Sequence, residues 1–435
     1  MWADFDPQVL AEALLALSHS KPTPAEPLCP NIRSLDWGHL VGENHQISPY
    51  IRLFLGPHTK HLALTVYDAD FTWLSIIHSL PRDYPGITDI TFDWTINQCS
   101  DVISDTVCQW NRLESFTWHG DLSYRAFVHL AGLPTLRKID MSIPNLSGDR
   151  QRHLATLQRP AFRALRSALV SCQNFFSCTS LIEITPSYLE LDSITVRIED
   201  DHDHDHEAFI VEYFLQMLNA RCSHTALTVL ELDDSRRWPT HFSDEHVISD
   251  DMFRPLLAFT NMAELTIYTP HAFRLSNRIL GDIAASWIQL RWLKLGTLCG
   301  WAGQSQITLA GLIPLLALPK LEGLNIVINA SSVDYTLDMP PTGLSNTKIT
   351  QLSLADSVIQ SAHSVAAFLS DVLPNVRQIH SWNDAVARNA SVSPADAKKY
   401  RVRWLEVAML IETIAKVRKQ ERSGAREHID ASGTT

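Results

Sequence analysis

One apolar phrase recurs along nearly the whole chain, and a repeat at steady spacing restricts the fold more than any other single feature. Written φ-x-x-φ-x-φ, with φ apolar, it reads Ile32/Leu35/Trp37, Thr59/Leu62/Leu64 with a polar first member, Ile87/Ile90/Phe92, Leu113/Phe116/Trp118 and Leu136/Ile139/Met141. A weaker copy at Leu165/Ala168/Val170 precedes Leu191/Ile194/Val196, and then come Leu227/Leu230/Leu232, Met262/Leu265/Ile267, Leu290/Leu293/Leu295, Leu321/Leu324/Ile326 and Ile349/Leu352/Leu354. Val376/Ile379 closes the series without a third member. Measured at the central apolar residue, most steps are about 23 to 31 residues. The longer steps, Ile194 to Leu230 and Leu230 to Leu265, each contain a polar insertion.

The φ-x-φ portion alternates with period two, so it predicts a short strand with two side chains turned inward. Helical stretches precede most copies, and in LAGLPTLRKIDM and LLALPKLEGLNI a proline, Pro134 or Pro319, stops the helix before the strand. One helix and one strand cannot bury their apolar faces alone; stacked copies can. The prediction is an α/β, leucine-rich-repeat-like solenoid: irregular repeats of about 28 residues, parallel strands on one face, helices on the other, and helical caps. A doubly wound sheet also alternates helix and strand, but its strands are buried on both faces. Here the intervening residues are mostly polar, among them Asp36, Thr117, Asp140, Glu231, Lys294 and Asn325, and this favours one solvated strand face.

The expected organisation is a capping helix and linker over residues 1–27, repeats over 28–392, an amphipathic helix over 393–422 and a disordered tail over 423–435. Polar insertions are expected at about 199–212 and 233–252. Asp6-Pro7 is a helix start, with Val9, Leu10, Ala13, Leu14 and Leu17 following. In the C-terminal helix Trp404, Val407, Ile411, Ile414 and Val417 are expected to face the repeats. Lys398, Lys399, Arg401, Arg403, Lys416, Arg418, Lys419 and Arg422 are expected on a solvated basic face, with a docking helix for an acidic partner as the alternative.

Composition narrows the function classes. Lys plus Arg number 36 against 48 acids, a formal net charge of −12, which speaks against nucleic acid as a partner. The seven cysteines form no CxxC pair and suit free thiols in a reducing compartment. The start, MWADFDPQVL, carries acids where a secretory leader carries bases, and the apolar run Ile307–Leu321 is broken by Gly311, Pro314 and Pro319, so no membrane association is expected. The expected location is cytoplasmic or nuclear. The sequence contains no GxxxxGK[ST], no GxGxxG after a strand, no HExxH and no GxSxG. Cys222-Ser223-His224 places a thiol near an imidazole in a connector, an incidental pairing in most such cases. No enzyme activity and no cofactor are expected. His202, His204 and His206 alternate with acids and are weak candidates for zinc or nickel; the competing reading is a solvated acidic loop.

The phrases LCPNIRSLDW, LGPHTKHLALTV, LAGLPTLRKIDM and LPNVRQIHSW resemble the irregular leucine-rich repeats of fungal F-box proteins, especially those of mushroom-forming fungi. The similarity covers about residues 28–382, and RWLEVAMLIETIAKVRKQER resembles the closing helix such proteins often carry. The resemblance implies a non-enzymatic substrate receptor that delivers a bound protein to a cullin–RING ubiquitin ligase through a Skp adaptor. The alternative is a repeat scaffold without a ligase. Two features depart from the family. The F-box itself is not recognisable in this chain, and whether one lies upstream or has been lost stays open. The Asn or Cys usual three residues past the last apolar position occurs only as Asn329, while Leu40, Tyr67, Asp121, Pro144 and Pro270 fill that slot elsewhere.

The outward strand positions are the candidate partner-binding residues: Asp89, Asp93, Asp140, Glu231, Glu264, Tyr268, Trp292 and Lys294. Asp36, His61, Thr117, His119, Asp233, Asn325 and His380 share the face. Acids outnumber bases and Tyr268 and Trp292 are potential anchors, so a protein with a basic patch is the expected partner.

Overall fold

The computed structural model describes residues 7–20, 26–37, 45–66, 71–94, 99–144, 161–173, 175–183, 185, 188–199, 208–234, 247–269, 271–298, 300–301, 303, 305–332 and 343–432. The chain forms two compact units, Met1–Asp200 and Asp201–Thr435. Both are built by the same rule, and the architecture is that of an α/β leucine-rich-repeat-like solenoid.

In the first unit the strands are β1 (Ser34–Trp37), β2 (His61–Val66), β3 (Asp89–Trp94), β4 (Ser115–Trp118), β5 (Lys138–Ser142), β6 (Ser167–Cys172) and β7 (Ser193–Ile198). They pair in parallel and in sequence order, without register shifts. The apolar phrase explains this register. Leu62, Leu64, Ile90, Phe92, Phe116, Trp118, Ile139, Met141, Ile194 and Val196 all turn inward and are buried. Each buried side chain of this size stabilises the fold by roughly 1.5–3 kcal/mol. A one-residue slip would turn every one of them to solvent. The weak copy forms β6, with Ala168 and Val170 buried. Helices α1 (Pro7–Ser20), α2 (Phe71–Asp83), α3 (Ser100–Val107), α4 (Tyr124–Ala131) and α5 (Phe175–Glu183) accompany these strands. Ser123 caps α4 by accepting from Ala126 N, and the helix buries Ala126, Phe127, Leu130 and Ala131. Helix α1 packs Ala11 and Leu14 against Ile47 of the 3-10 helix His45–Leu53, which follows β1.

The second unit contains α6 (Ala208–Arg221), β8 (Val229–Asp233), β9 (Val247–Ser249), β10 (Glu264–Tyr268), β11 (Ala272–Arg274), α7 (Asn277–Ser286), β12 (Trp292–Leu295), α8 (Leu309–Leu316) and β13 (Gly323–Asn325). It continues with β14 (Asn329–Ala330), β15 (Gln351–Ala355), β16 (Val358–Ile359), α9 (Ala362–Val372), β17 (Gln378–Ser381), α10 (Asp384–Asn389) and α11 (Pro394–Ser432). Its main parallel array runs β8-β10-β12-β13-β15-β17. Two short pairs beyond the strand ends, β11 with β9 and β14 with β16, are absent from the sequence reading.

Neighbouring repeats are also tied by a backbone device at the start of most strands. One carbonyl accepts two consecutive N–H groups from the next repeat: Arg33 O from Lys60 N and His61 N at 2.8 and 3.0 Å, Lys60 O from Thr88 N and Asp89 N at 2.9 and 3.0 Å. The same pairing recurs at Thr88, Glu114, Arg137 and Arg166, and in the second unit at Thr228, Ala263, Arg291 and Thr350. Side chains reinforce it from the residue just before the first apolar position of the phrase. Thr135 Oγ1 donates to Leu113 O at 2.7 Å, Asn261 Nδ2 to Thr225 O at 2.8 Å and Asn375 Nδ2 to Thr347 O at 2.7 Å. These three side-chain bonds lie on the side of the strand opposite to the slot read from sequence. Asn329, the single occupant of that slot, instead accepts from its own neighbour Ser331.

Several expected boundaries shift. The first insertion ends earlier than 212, because α6 begins at Ala208. Strand β9 and the short helix Asp250–Phe253 order the end of the second insertion, since Ile248, Met252 and Phe253 find a core. Helix α11 continues to Ser432 where a disordered tail from 423 was expected; Ala425, Arg426 and Glu427 are strong helix formers that carry it past Ser423-Gly424. Trp404, Val407 and Ile411 are buried as read, whereas Val417 is 47% exposed. Arg403 and Arg418 leave the solvated face assigned to them. Arg403 donates to Ile359 O at 2.9 Å, and Arg418 donates to Ala367 O at 2.8 Å and Ser370 Oγ at 2.9 Å. Helical periodicity explains it: Arg403 is four residues before Val407 and Arg418 seven after Ile411, on the packed side. Trp404 completes the anchor. Its Nε1 and that of Trp382 both donate to Ser357 O, at 2.9 and 2.8 Å.

Candidate functional site

The outward positions of the second unit form three aligned rows. The central row runs Glu231, Thr266, Lys294, Asn325, Ser353, His380 across β8 to β17. Beside it lie Val229, Glu264, Trp292 and Gly323, and on the other side Asp233 and Tyr268. Adjacent strands are separated by about 5 Å, so side chains in one row touch.

Trp292 is held flat by its neighbour strand. Gly323 stands opposite it, and a β-carbon there would overlap the indole ring at Cζ3. The ring lies in the space that glycine leaves. Lys294 Nζ sits 5.2 Å from the Trp292 ring centroid, a cation–π contact that fixes the one positive charge of the central row. Tyr268 is half-buried, and burial is the main force pushing its phenol above the ordinary range. A hydrogen bond with Asn325 works the other way, and the carboxylates of Glu231 and Asp233 add to the upward push. Tyr268 thus keeps its proton and remains able to donate. Glu264 is less available than the sequence suggested, because Arg291 approaches it at 3.8 Å while also binding Glu322 at 2.8 Å.

The three remaining candidates belong to the first unit and do not converge. Asp89 Oδ2 lies 3.2 Å from His61 Nδ1 in the outer row. Asp140 Oδ1 lies 3.6 Å from His119 Nε2, too far for a hydrogen bond, so this oxygen is buried with none. Asp93 is exposed at the far end of β3. No Phe, Tyr or Trp occupies a described outward position of this unit.

Of the eight candidates, Glu231, Glu264, Tyr268, Trp292 and Lys294 therefore share one surface. Sequence reading missed Gly323 as the seat of Trp292, and aligning WLKL with GLNI in repeat register would have revealed it. Cys222 is buried and its thiol is pushed up to about 12 by desolvation, so it stays protonated at physiological pH beside His224. Among the described residues no three His, Cys, Asp or Glu side chains converge on a metal position, and no helix is long and apolar enough to cross a membrane. His202, His204 and His206 lie outside the described residues.

No family model matches the chain, and neither does any curated protein. The chain is similar to the crystal structure of a Rad7 and Elc1 complex in yeast, at 12% identity and a TM-score of 0.35, over 88% of this chain and 85% of that one.

Proposed function

We propose that this chain is a non-catalytic protein-recognition solenoid whose contact surface is the strand face of the second unit. The observation that carries it is the seated Trp292–Lys294 pair beside Tyr268. Rigid aromatics with a charged neighbour lose little entropy on binding and dominate protein interfaces. Glu231 and Asp233 flank them, so the favoured partner offers a basic residue next to an apolar one. The finer reading is an F-box-type receptor that hands its target to a cullin–RING ubiquitin ligase in the cytoplasm or nucleus. It is supported by the resemblance of the repeats to the fungal F-box group. The second reading is a repeat scaffold without a ligase, which uses the same face.

The test is affinity capture of the intact chain from a fungal lysate, scored by mass spectrometry for Skp adaptor and cullin. Recovery of both supports the receptor. Reproducible partners without either support the scaffold. In both cases Trp292→Ala with Lys294→Glu should empty the pull-down; an unchanged partner set would sink the assignment of the face.

A further inference from the structure

The C-terminal end of the second unit holds a cleft that the strand face does not use. It has a volume of about 710 Å³ and lies between α10, the turn that follows, and the first two turns of α11. That volume is in the range of specific ligand sites. Its floor is apolar. Trp382 is buried, its Nε1 is committed to Ser357 O, and its ring meets Tyr400 with centroids 5.4 Å apart. Val392 and Ala397 extend this floor.

The mouth carries Arg388, Lys398 and Arg401 against a single lining carboxylate, Asp384. Arg401 Nη1 is 2.9 Å from Asp384 Oδ1, and Arg388 Nε donates to the Asp384 carbonyl at 3.1 Å. Asp396, the nearby acid on α11, accepts from Ser393 Oγ at 2.7 Å and does not line the cleft. Three cations around one carboxylate leave a local positive excess on a chain of net charge −12. A small cationic mouth over an apolar floor selects a ligand that combines one or two carboxylates with an apolar group. The overall negative charge opposes extended polyanions such as nucleic acid or an anionic bilayer.

We propose that this cleft binds an acidic peptide segment, an Asp or Glu side chain on the cations with a neighbouring apolar side chain against Ala387, Val392 and Pro394, which the buried Trp382 backs from beneath. The site is independent of the strand-face reading, since it shares no residue with it. Asp384 is a built-in competitor for Arg401.

Binding of a fluorescein-labelled hexapeptide of alternating Leu and Asp to the intact chain, read by anisotropy, tests the proposal. The peptide should bind about tenfold more tightly than its Leu/Asn analogue, and Arg388→Glu with Lys398→Glu should remove that advantage. Both side chains are exposed, so the fold should persist. Asp384→Asn frees Arg401 and should tighten binding by a few-fold, a gain that a purely structural role cannot give. Equal affinity for the Asn analogue would overturn the site, as would charge-reversed protein that binds as well as the native chain. Displacement of the peptide by phosphatidylserine vesicles at matched charge would overturn the choice of a peptide ligand.

Discussion

The two units use the same contact, a tryptophan laid over a glycine, for opposite ends. In the first, Trp118 is buried at the end of β4; a β-carbon on Gly120 would overlap its ring, which stands perpendicular to that of Phe92 with centroids 6.3 Å apart. In the second, Trp292 lies over Gly323 on the outer surface. The pleat alone decides between them: Trp118 stands at an inward strand position and Trp292 at an outward one. On β4, where the tryptophan is inside, the outward positions are the small polar Ser115 and Thr117. Where leucines fill the interior, as at Leu293 and Leu295, the tryptophan is released for contact. An aromatic in a repeat protein is thus core or anchor according to strand parity, which is readable once the repeats are aligned.

Four experiments sharpen or break this comparison. The largest effect is expected at neither surface but at the anchor of α11. Trp404→Ala removes a fully buried ring and its bond to Ser357 O, and should cost about 3–5 kcal/mol in urea unfolding. Next comes recognition: Trp292→Ala should cost about 2 kcal/mol of partner binding by calorimetry, while His61→Ala in the first unit should leave it unchanged. A matching loss from His61→Ala would mean that the units do not differ in the way described.

The paired glycines follow. Gly120→Ala presses a methyl into a ring that cannot move and should cost about 1–2 kcal/mol of stability. Gly323→Ala should cost less than about 1 kcal/mol, because the surface indole can swing outward, yet it should weaken binding by unseating Trp292. Equal stability losses would break the parallel. The smallest effect concerns pH. Burial holds the folded-state value of Tyr268 above the unfolded one, so the neutral phenol contributes stability below the unfolded value. That contribution fades as pH rises from about 10 upward. Tyr268→Phe should flatten this alkaline decline in urea midpoint; an unchanged slope would show that the phenol is not held as described.

The strand positions were legible because alternation of apolar residues is a strong local signal, and even the weak copy at Ala168 and Val170 obeys it. Val376/Ile379, the incomplete copy, forms β17 with Ile379 only half-buried, as a truncated phrase should. The short pairs β9/β11 and β14/β16 were not legible, since two or three residues carry too little periodicity. Arg403 and Arg418 were misplaced because residue type was allowed to outweigh helical position. Within the site, Tyr268, Trp292 and Lys294 were readable from parity. The arginine that occupies Glu264 was not, because Arg291 lies 27 residues further along and only the fold brings it near.

The paired amide ladder bears on how freely such a protein can change. At ten of the joints among the described residues, two main-chain donors meet one main-chain acceptor, and the outward side chains take no part. The joint is blind to what the face displays. Exchange of Glu231, Lys294 or His380 for other residues alters what the surface attracts while the stacking stays as it was. A lineage could therefore explore new targets by drift at outward positions alone, one residue at a time, without passing through an unfolded intermediate.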